Sequence, residues 1–212
     1  ISDAQIFSAI EQLNDRFRKT PGTHGDADGV DTEIEFCLAS IDPDGNPTDG
    51  IVRVDGSSVT GYSTGGVCVS SSSCVLNELA MKNLSRWSNT EYYNIWVVSE
   101  IMDNNGGYGI QGYAYLPGSS SLYDGTVIMN TCFGSLGTVN SWNNMGRTLT
   151  HEIGHAMGLY HSFEGDNGGS TCPSGNGDYV SDTDPHKRSS SNCPSGTNSC
   201  TGTTSQDVVH NY

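Results

Sequence analysis

The stretch from Arg147 to Phe163, RTLTHEIGHAMGLYHSF, constrains this chain more than any other. It sets His151, Glu152, His155, Gly158 and His161 in the pattern H-E-x-x-H-x-x-G-x-x-H. Residues four apart share a face of a helix, so His151 and His155 can turn their imidazoles toward one ion. Glu152 is offset by one position, close to the ion but aimed at water held beside it. Gly158 can end the helix, because glycine takes the left-handed conformation at little cost. The chain can then turn back and bring His161 up as a third nitrogen ligand. Three protein ligands leave one tetrahedral position open, which is the arrangement of a catalytic zinc site. Three of the chain's six histidines fall in this one window at metal-binding spacing, which ordinary surface histidines have no reason to do.

Composition limits what can surround such a centre. A chain of 212 residues fits one large domain, or two subdomains around one cleft. Hydrophobic residues make up only 34%, so long polar loops must link the core elements. A net charge of −15 with nine basic residues argues against nucleic acid or an anionic membrane surface as partner. Acidic loops suit calcium better. No apolar run reaches membrane-spanning length. The chain starts at Ile1 with neither methionine nor a signal sequence and reads as a processed mature form. Its seven cysteines show no C-x-x-C pairing, so secretion with disulfides is the reading, and an odd count leaves one without a partner in the chain.

Taken in order, Ser2 predicts the N-cap of a first helix. Ile6, Phe7, Ile10, Leu13 and Phe17 follow at helical spacing, and Arg16, Arg18 and Lys19 sit near its end. Glu33 to Ala39 alternates polar and apolar residues and reads as a strand, with Ile51 to Val54 a second. Between them Asp42 to Gly50 is dense in turn residues and reads as a plain turn. In the Gly/Ser loop from Gly61 to Cys74, Cys68 and Cys74 are near enough in sequence to close a small ring. Cys37 and Cys132 would pair if their strands lie close. Val75 to Trp87 holds a short helix, Tyr93 to Ser99 reads as the central strand, and Ile110 to Leu116 and Thr126 to Asn130 read as two more. The motif helix is expected over Trp142 to Leu159.

Strands interleaved with helices indicate an α/β layer with a mixed sheet. Composition changes after His161, where Gly, Ser, Asp and Cys dominate and periodicity fades. The expected division is therefore 1–161 with sheet and metal helix, then 162–212 as an irregular lower half held by disulfides, with a cleft between them.

The long motif is that of the metzincins, and this chain resembles their pappalysin family in particular. DTEIEFCLAS, YNIWVVSE, GYAYLP and GDYVSDTDP with its flanking cysteines all stand where that family has similar segments. The resemblance implies a metzincin-type zincin of the α/β (α+β) class. It would have a twisted, mixed five-stranded sheet with a backing helix and an active-site helix, and an irregular C-terminal subdomain. It implies secretion as a zymogen whose propeptide is removed. It implies zinc on His151, His155 and His161, with Glu152 as general base. It implies that strand 110–116 is the edge strand pairing with an extended protein or peptide substrate, and that Cys172 pairs with Cys200. Calcium is implied in the last part, best matched by Asp178, Asp182 and Thr183 with Asp166 as an addition. Several oxygen donors in a short acidic loop suit a hard cation, although a solvated acidic loop is the plain alternative.

These features imply a secreted zinc endopeptidase. A non-catalytic secreted binding module on the same scaffold is the rival, and loss of Glu152 would be its sign. A zinc hydrolase of non-peptide substrates is a third reading, favoured by a closed pocket over an open cleft. The family also places a methionine turn after the third histidine. Met157, the only methionine after Gly146, lies inside the motif, and Val208 to Tyr212 resembles the lead into that turn. The expectation is thus a catalytic domain that stops short of its methionine turn. A C-terminal remainder would supply the partner of Cys193.

Overall fold

A computed structural model describes residues 1–69, 74–189, 198–200 and 207. The chain divides into two compact units, Ile1–Ala156 and Met157–Tyr212, so the division falls after Ala156 rather than after His161.

The first unit begins with helix α1, Asp3–Phe17. Ser2 caps it: its hydroxyl accepts the Gln5 N–H at 3.2 Å. Asp3 in the first turn and Arg16 in the last match the helix dipole. Ile6, Ala9 and Leu13 form the buried stripe.

Three strands form a mixed sheet. They are β3 (Ile95–Val98), β4 (Gly112–Tyr113) and β5 (Thr126–Met129), in the order β3-β5-β4. The β3–β5 pair is parallel and the β4–β5 pair antiparallel. A second, two-stranded parallel sheet joins β1 (Val67–Cys68) to β2 (Leu76–Asn77), and a short helix α2 follows at Glu78–Lys82. The five strands therefore lie in two sheets among the described residues, not in the single sheet expected. The centre of the larger sheet is β5 rather than the Tyr93–Ser99 run. All four β5 residues are buried, which is what a strand covered on both faces requires. In β3 only alternate residues are buried.

The two expected strands at 33–39 and 51–54 form no ladder. Asn14 holds the first of these segments instead. Its side-chain amide donates to the Phe36 carbonyl at 2.8 Å, and its oxygen accepts the Phe36 N–H at 2.7 Å. Phe36 packs edge-on against Phe17 at 5.0 Å. These bonds use the backbone groups a strand neighbour would need, so alternation alone did not decide the outcome.

Leu13, Val98, Ile101, Val127, Ile128, Leu149 and Ile153 centre a single apolar core in this unit. Cys68 and Cys74 form a disulfide. Cys37 is exposed and Cys132 buried, both as free thiols, so they do not pair. Cys132 lies in a 3₁₀ turn just after β5, where the Asn143 amide donates to its sulfur at 3.1 Å.

The described residues of the second unit contain neither helix nor strand. A disulfide between Cys172 and Cys200 closes a loop there. Cys193 and Val208 to Tyr212 lie outside the described residues.

Candidate metal centre

Helix α3 covers Arg147–Ala156, shorter at both ends than the expected 142–159. Gly146, just before it, has φ of +64°, and a side chain there would collide with Gln12. Residues 142–145 accordingly form turns. Beyond Ala156 the backbone turns at Gly158, with φ of +98°, a conformation that favours glycine. Leu149 and Ile153, four apart, anchor the helix in the core. His151 and His155, also four apart, occupy a different stripe. Their Nε2 atoms are 3.0 Å apart and their rings meet edge to face.

His161 lies just past the Gly158 turn. The ligand atoms of His151, His155 and His161 all fall within 4.8 Å of one another. A cation about 2.0–2.1 Å from two imidazole nitrogens at a tetrahedral angle needs them about 3.3 Å apart. The 3.0 Å separation is close to that, and three neutral imidazoles are a donor set that zinc accepts. The residues therefore fit the ion. Among the described residues this is the only cluster of three or more His, Cys, Asp or Glu that converges in this way.

Glu152 is 6% exposed. Burial pushes its carboxyl up to about 7, while an N–H bond from Ala114 pulls the other way. A cation beside it would also favour the charged form. Strand β4 runs hard against this carboxylate: a Cβ on Gly112 would sit 3.2 Å from the Glu152 Cγ. Glycine at 112 lets the strand approach that closely. Of the expected strand Ile110–Leu116, only Gly112–Tyr113 forms a ladder, and β5 is its one strand partner among the described residues.

The remaining candidates are dispersed. Asp166 has no exposed surface, and Arg188 grips it. The guanidinium donates to both carboxylate oxygens at 2.7 to 3.1 Å, and the Arg188 N–H adds a bond at 2.9 Å. These bonds hold the Asp166 carboxyl well below the usual carboxylate range. Asp178 accepts the Val180 N–H at 3.0 Å, and Thr183 approaches Asp182 at 3.5 Å, both in exposed positions. The carboxylate oxygens of Asp166, Asp178 and Asp182 do not all lie within 4.8 Å of one another.

Sequence reasoning missed three supports of the centre. The first is the Ala114 N–H. The second is Phe163, whose ring stacks on His161 at 4.9 Å and 9° while the Arg188 guanidinium lies 5.0 Å from its centroid. The third is Glu164, which approaches His161 Nδ1 at 3.4 Å, as partners of a ligand's second nitrogen do. Nothing in the spacing marks Arg188, which is 25 residues beyond Phe163.

Comparison with known proteins places this architecture. The family model described as Peptidase_M43, pregnancy-associated plasma protein-A, matches residues 78–212. The chain belongs to the Peptidase_M43 family. The kinship with pappalysin metzincins and the mixed α/β fold are thereby borne out. The family implies zinc, and the histidine triad is the group that fits it. An extracellular metalloprotease of Sordaria macrospora is 39% identical over 143 residues, covering 64% of this chain and 45% of that protein. Extracellular metalloprotease 1 of Coccidioides posadasii is 37% identical over 140 residues, covering 64% and 46%. The chain spans about half the length of the curated relatives it matches. Mature mirolysin of Tannerella forsythia, solved with a cleaved peptide, superposes with a TM-score of 0.74 at 34% identity. That match covers all of this chain and 76% of mirolysin. A promirolysin mutant of the same organism gives a TM-score of 0.73 at 34% identity and is covered to 66%. Among the described residues no helix is long and apolar enough to cross a membrane.

Proposed function

We propose that this chain is the catalytic part of a secreted zinc endopeptidase. The convergence of three imidazoles beside a buried glutamate carries the reading. His151, His155 and His161 would hold the ion. Zinc held by them would supply Lewis acidity and a water acidified to a pKa of about 7. Glu152, whose carboxylate lies beside these imidazoles, would serve as the general base that accepts a proton and returns it to the leaving amine nitrogen. Burial, the larger influence on it, pushes its carboxyl up to about 7, a value near neutrality that suits a group that must both take and give a proton. A non-catalytic binding module has no use for such a carboxylate.

The substrate is a protein or peptide lying extended along residues 110–116, whose β4 segment has strand pairing on one side only among the described residues. Mirolysin's capture of a cleaved peptide supports this. Promirolysin supports a removed propeptide as a partner, and the relatives' names support secretion. Calcium in the last part would fall to Asp178, Asp182 and Thr183, since Asp166 is committed to Arg188.

The test is cleavage of casein or a labelled peptide with and without a zinc chelator, beside Glu152→Ala. The variant should keep its zinc and lose about three or more orders of magnitude in kcat. Near-normal turnover would remove Glu152 from the mechanism.

A further inference from the structure

A buried ion pair lies in the same unit as β4, and the chemistry above makes no use of it. Lys82 is 0% exposed and Glu78 2%, an unusual place for two charges. They stand four apart on α2, with Lys82 Nζ 2.9 Å from a Glu78 oxygen. Glu78's other oxygen accepts the Tyr115 hydroxyl proton at 2.5 Å. Lys82 also donates to the Tyr123 carbonyl. Its ammonium lies 5.1, 5.5 and 5.0 Å from the ring centroids of Trp96, Tyr113 and Tyr115. Such contacts gain strength when desolvated.

Two of those rings belong to the segment that touches Glu152. Tyr113 and Tyr115, two apart in an extended chain, are on one side, and Ala114 between them sends its N–H to the Glu152 carboxylate. At the start of this segment, Asn104 donates to the Ile110 carbonyl and the Met129 N–H to the Gln111 carbonyl, each at 2.9 Å, and Tyr113 packs against the core. The ladder with β5 is two residues long, and a slip of one residue would turn every side chain to the opposite face. An apolar pair in place of Glu78 and Lys82 would fill the same space, often at no loss of stability. It would not supply a directional bond to the Tyr115 hydroxyl.

We propose that the buried Glu78–Lys82 pair, acting through Tyr115, is a positioning device. It fixes the register and height of residues 112–115 beside Glu152, and so the alignment of an extended peptide with the reacting atoms. The proposal rests on the reading of 110–116 as the peptide-pairing strand. Glu78, Lys82 and Tyr115 are positioning residues: they act through the strand and touch no reacting atom.

Tyr115→Phe removes one hydroxyl and keeps the ring, so it isolates the bond without emptying the core. Two quantities are read beside zinc content and melting temperature. One is kcat/KM for a long peptide that pairs along the strand, set against a short peptide that cannot. The other is amide hydrogen exchange over residues 110–116. The expected result is a loss of roughly ten- to hundredfold for the long peptide, as small misplacements near a reacting centre produce. The short peptide should lose less, exchange at 112–115 should rise, and zinc content should not change. Lys82→Met should shift the same two readouts in the same direction. Equal losses for both peptides, or unchanged exchange at 112–115, would overturn the proposal. Should the unaltered protein cleave no peptide, the functional reading fails by itself. Exchange then decides alone: a rise at 112–115 upholds the positioning role, and no change overturns it.

Discussion

Ile128, Leu149 and Ile153 are each at most 1% exposed and belong to one apolar cluster in Ile1–Ala156. In Met157–Tyr212 no described Leu, Ile, Val, Met or Phe is buried. The side chain with least exposure there is a carboxylate, Asp166. The first unit is stabilised by apolar area removed from water. The second relies on point constraints, namely the Cys172–Cys200 disulfide, the Asp166–Arg188 pair and ring stacking on Phe163. Burial is spread over many contacts and tolerates the loss of a polar group at its edge. Point constraints concentrate stability in a few bonds. The metal motif runs from one unit into the other, with His151 and His155 on a core-anchored helix and His161 among the cross-links.

Apolar truncation separates the two most strongly. Ile128→Ala should cost about 2–5 kcal/mol, the transfer term plus a cavity. Val180→Ala, at a residue 47% exposed, should stay within about 0.5 kcal/mol. Urea unfolding followed by circular dichroism checks both. Similar costs would mean that the second unit has an apolar core after all.

Next comes the disulfide. Cys172 and Cys200 are 28 residues apart, and in the loop-entropy picture a bridge of that span contributes about 3–4 kcal/mol. Replacing both by serine should raise amide exchange through 157–189 and leave β3 and β5 protected. Equal loss of protection in both would show that the units do not differ in what holds them.

Third is the Asp166–Arg188 pair. Arg188 is half exposed, which discounts its worth, but its partner is fully buried. Arg188→Met should therefore cost about 1–3 kcal/mol near neutral pH. Asp166 has its folded-state pKa depressed, with the Arg188 hydrogen bond as the largest cause. Its contribution is present above the ordinary carboxylate pKa of about 3.9 and is lost as pH falls through the depressed value. Melting temperatures from pH 7 down to pH 2 should show variant and unaltered protein converging in acid. A gap that stays constant would detach the effect from Asp166.

The same contrast explains what could be read from residues alone. Local patterns survived. Ser2 caps α1, the Tyr93–Ser99 run contains β3, Thr126–Asn130 contains β5, and the motif spacing brings three histidines together. Each depends on neighbours within about one or two turns, where periodicity is informative. What failed depends on distant partners. Glu33–Ala39 has a strand's alternation, yet Asn14 takes its backbone groups. The Cys37–Cys132 pairing assumed two strands side by side, and one of them does not form. At the site, Glu152 is visible in the motif, but Ala114, Tyr115 and Arg188 carry no local mark. Glu78 and Lys82 display only the i,i+4 spacing of an ordinary solvated helix pair. Nor does an acidic residue in a polar loop reveal that an arginine 22 positions on pairs with it, as Arg188 does with Asp166.

The smallest expected effect is that of calcium. If the second unit is held by point constraints, a cation between Asp178 and Asp182 would add one more of the same kind. A chain of net charge −15 gains when one of its acidic loops is neutralised. Extracellular calcium modules bind with Kd of about 10⁻⁴ to 10⁻³ M. At about 1 mM calcium, binding to the native state alone would then stabilise by about 0.4–1.4 kcal/mol. The melting temperature should rise with calcium and fall with a calcium-selective chelator, and Asp178→Asn should flatten that response. Magnesium should substitute poorly, since it demands octahedral geometry that a flexible loop does not supply. Arg188→Met sharpens the test, because it releases the Asp166 carboxylate. A larger calcium response in that variant would show Asp166 competing for the ion. An unchanged response would confine the site to Asp178, Asp182 and Thr183. A melting temperature indifferent to calcium and chelator alike would leave the second unit with protein cross-links only.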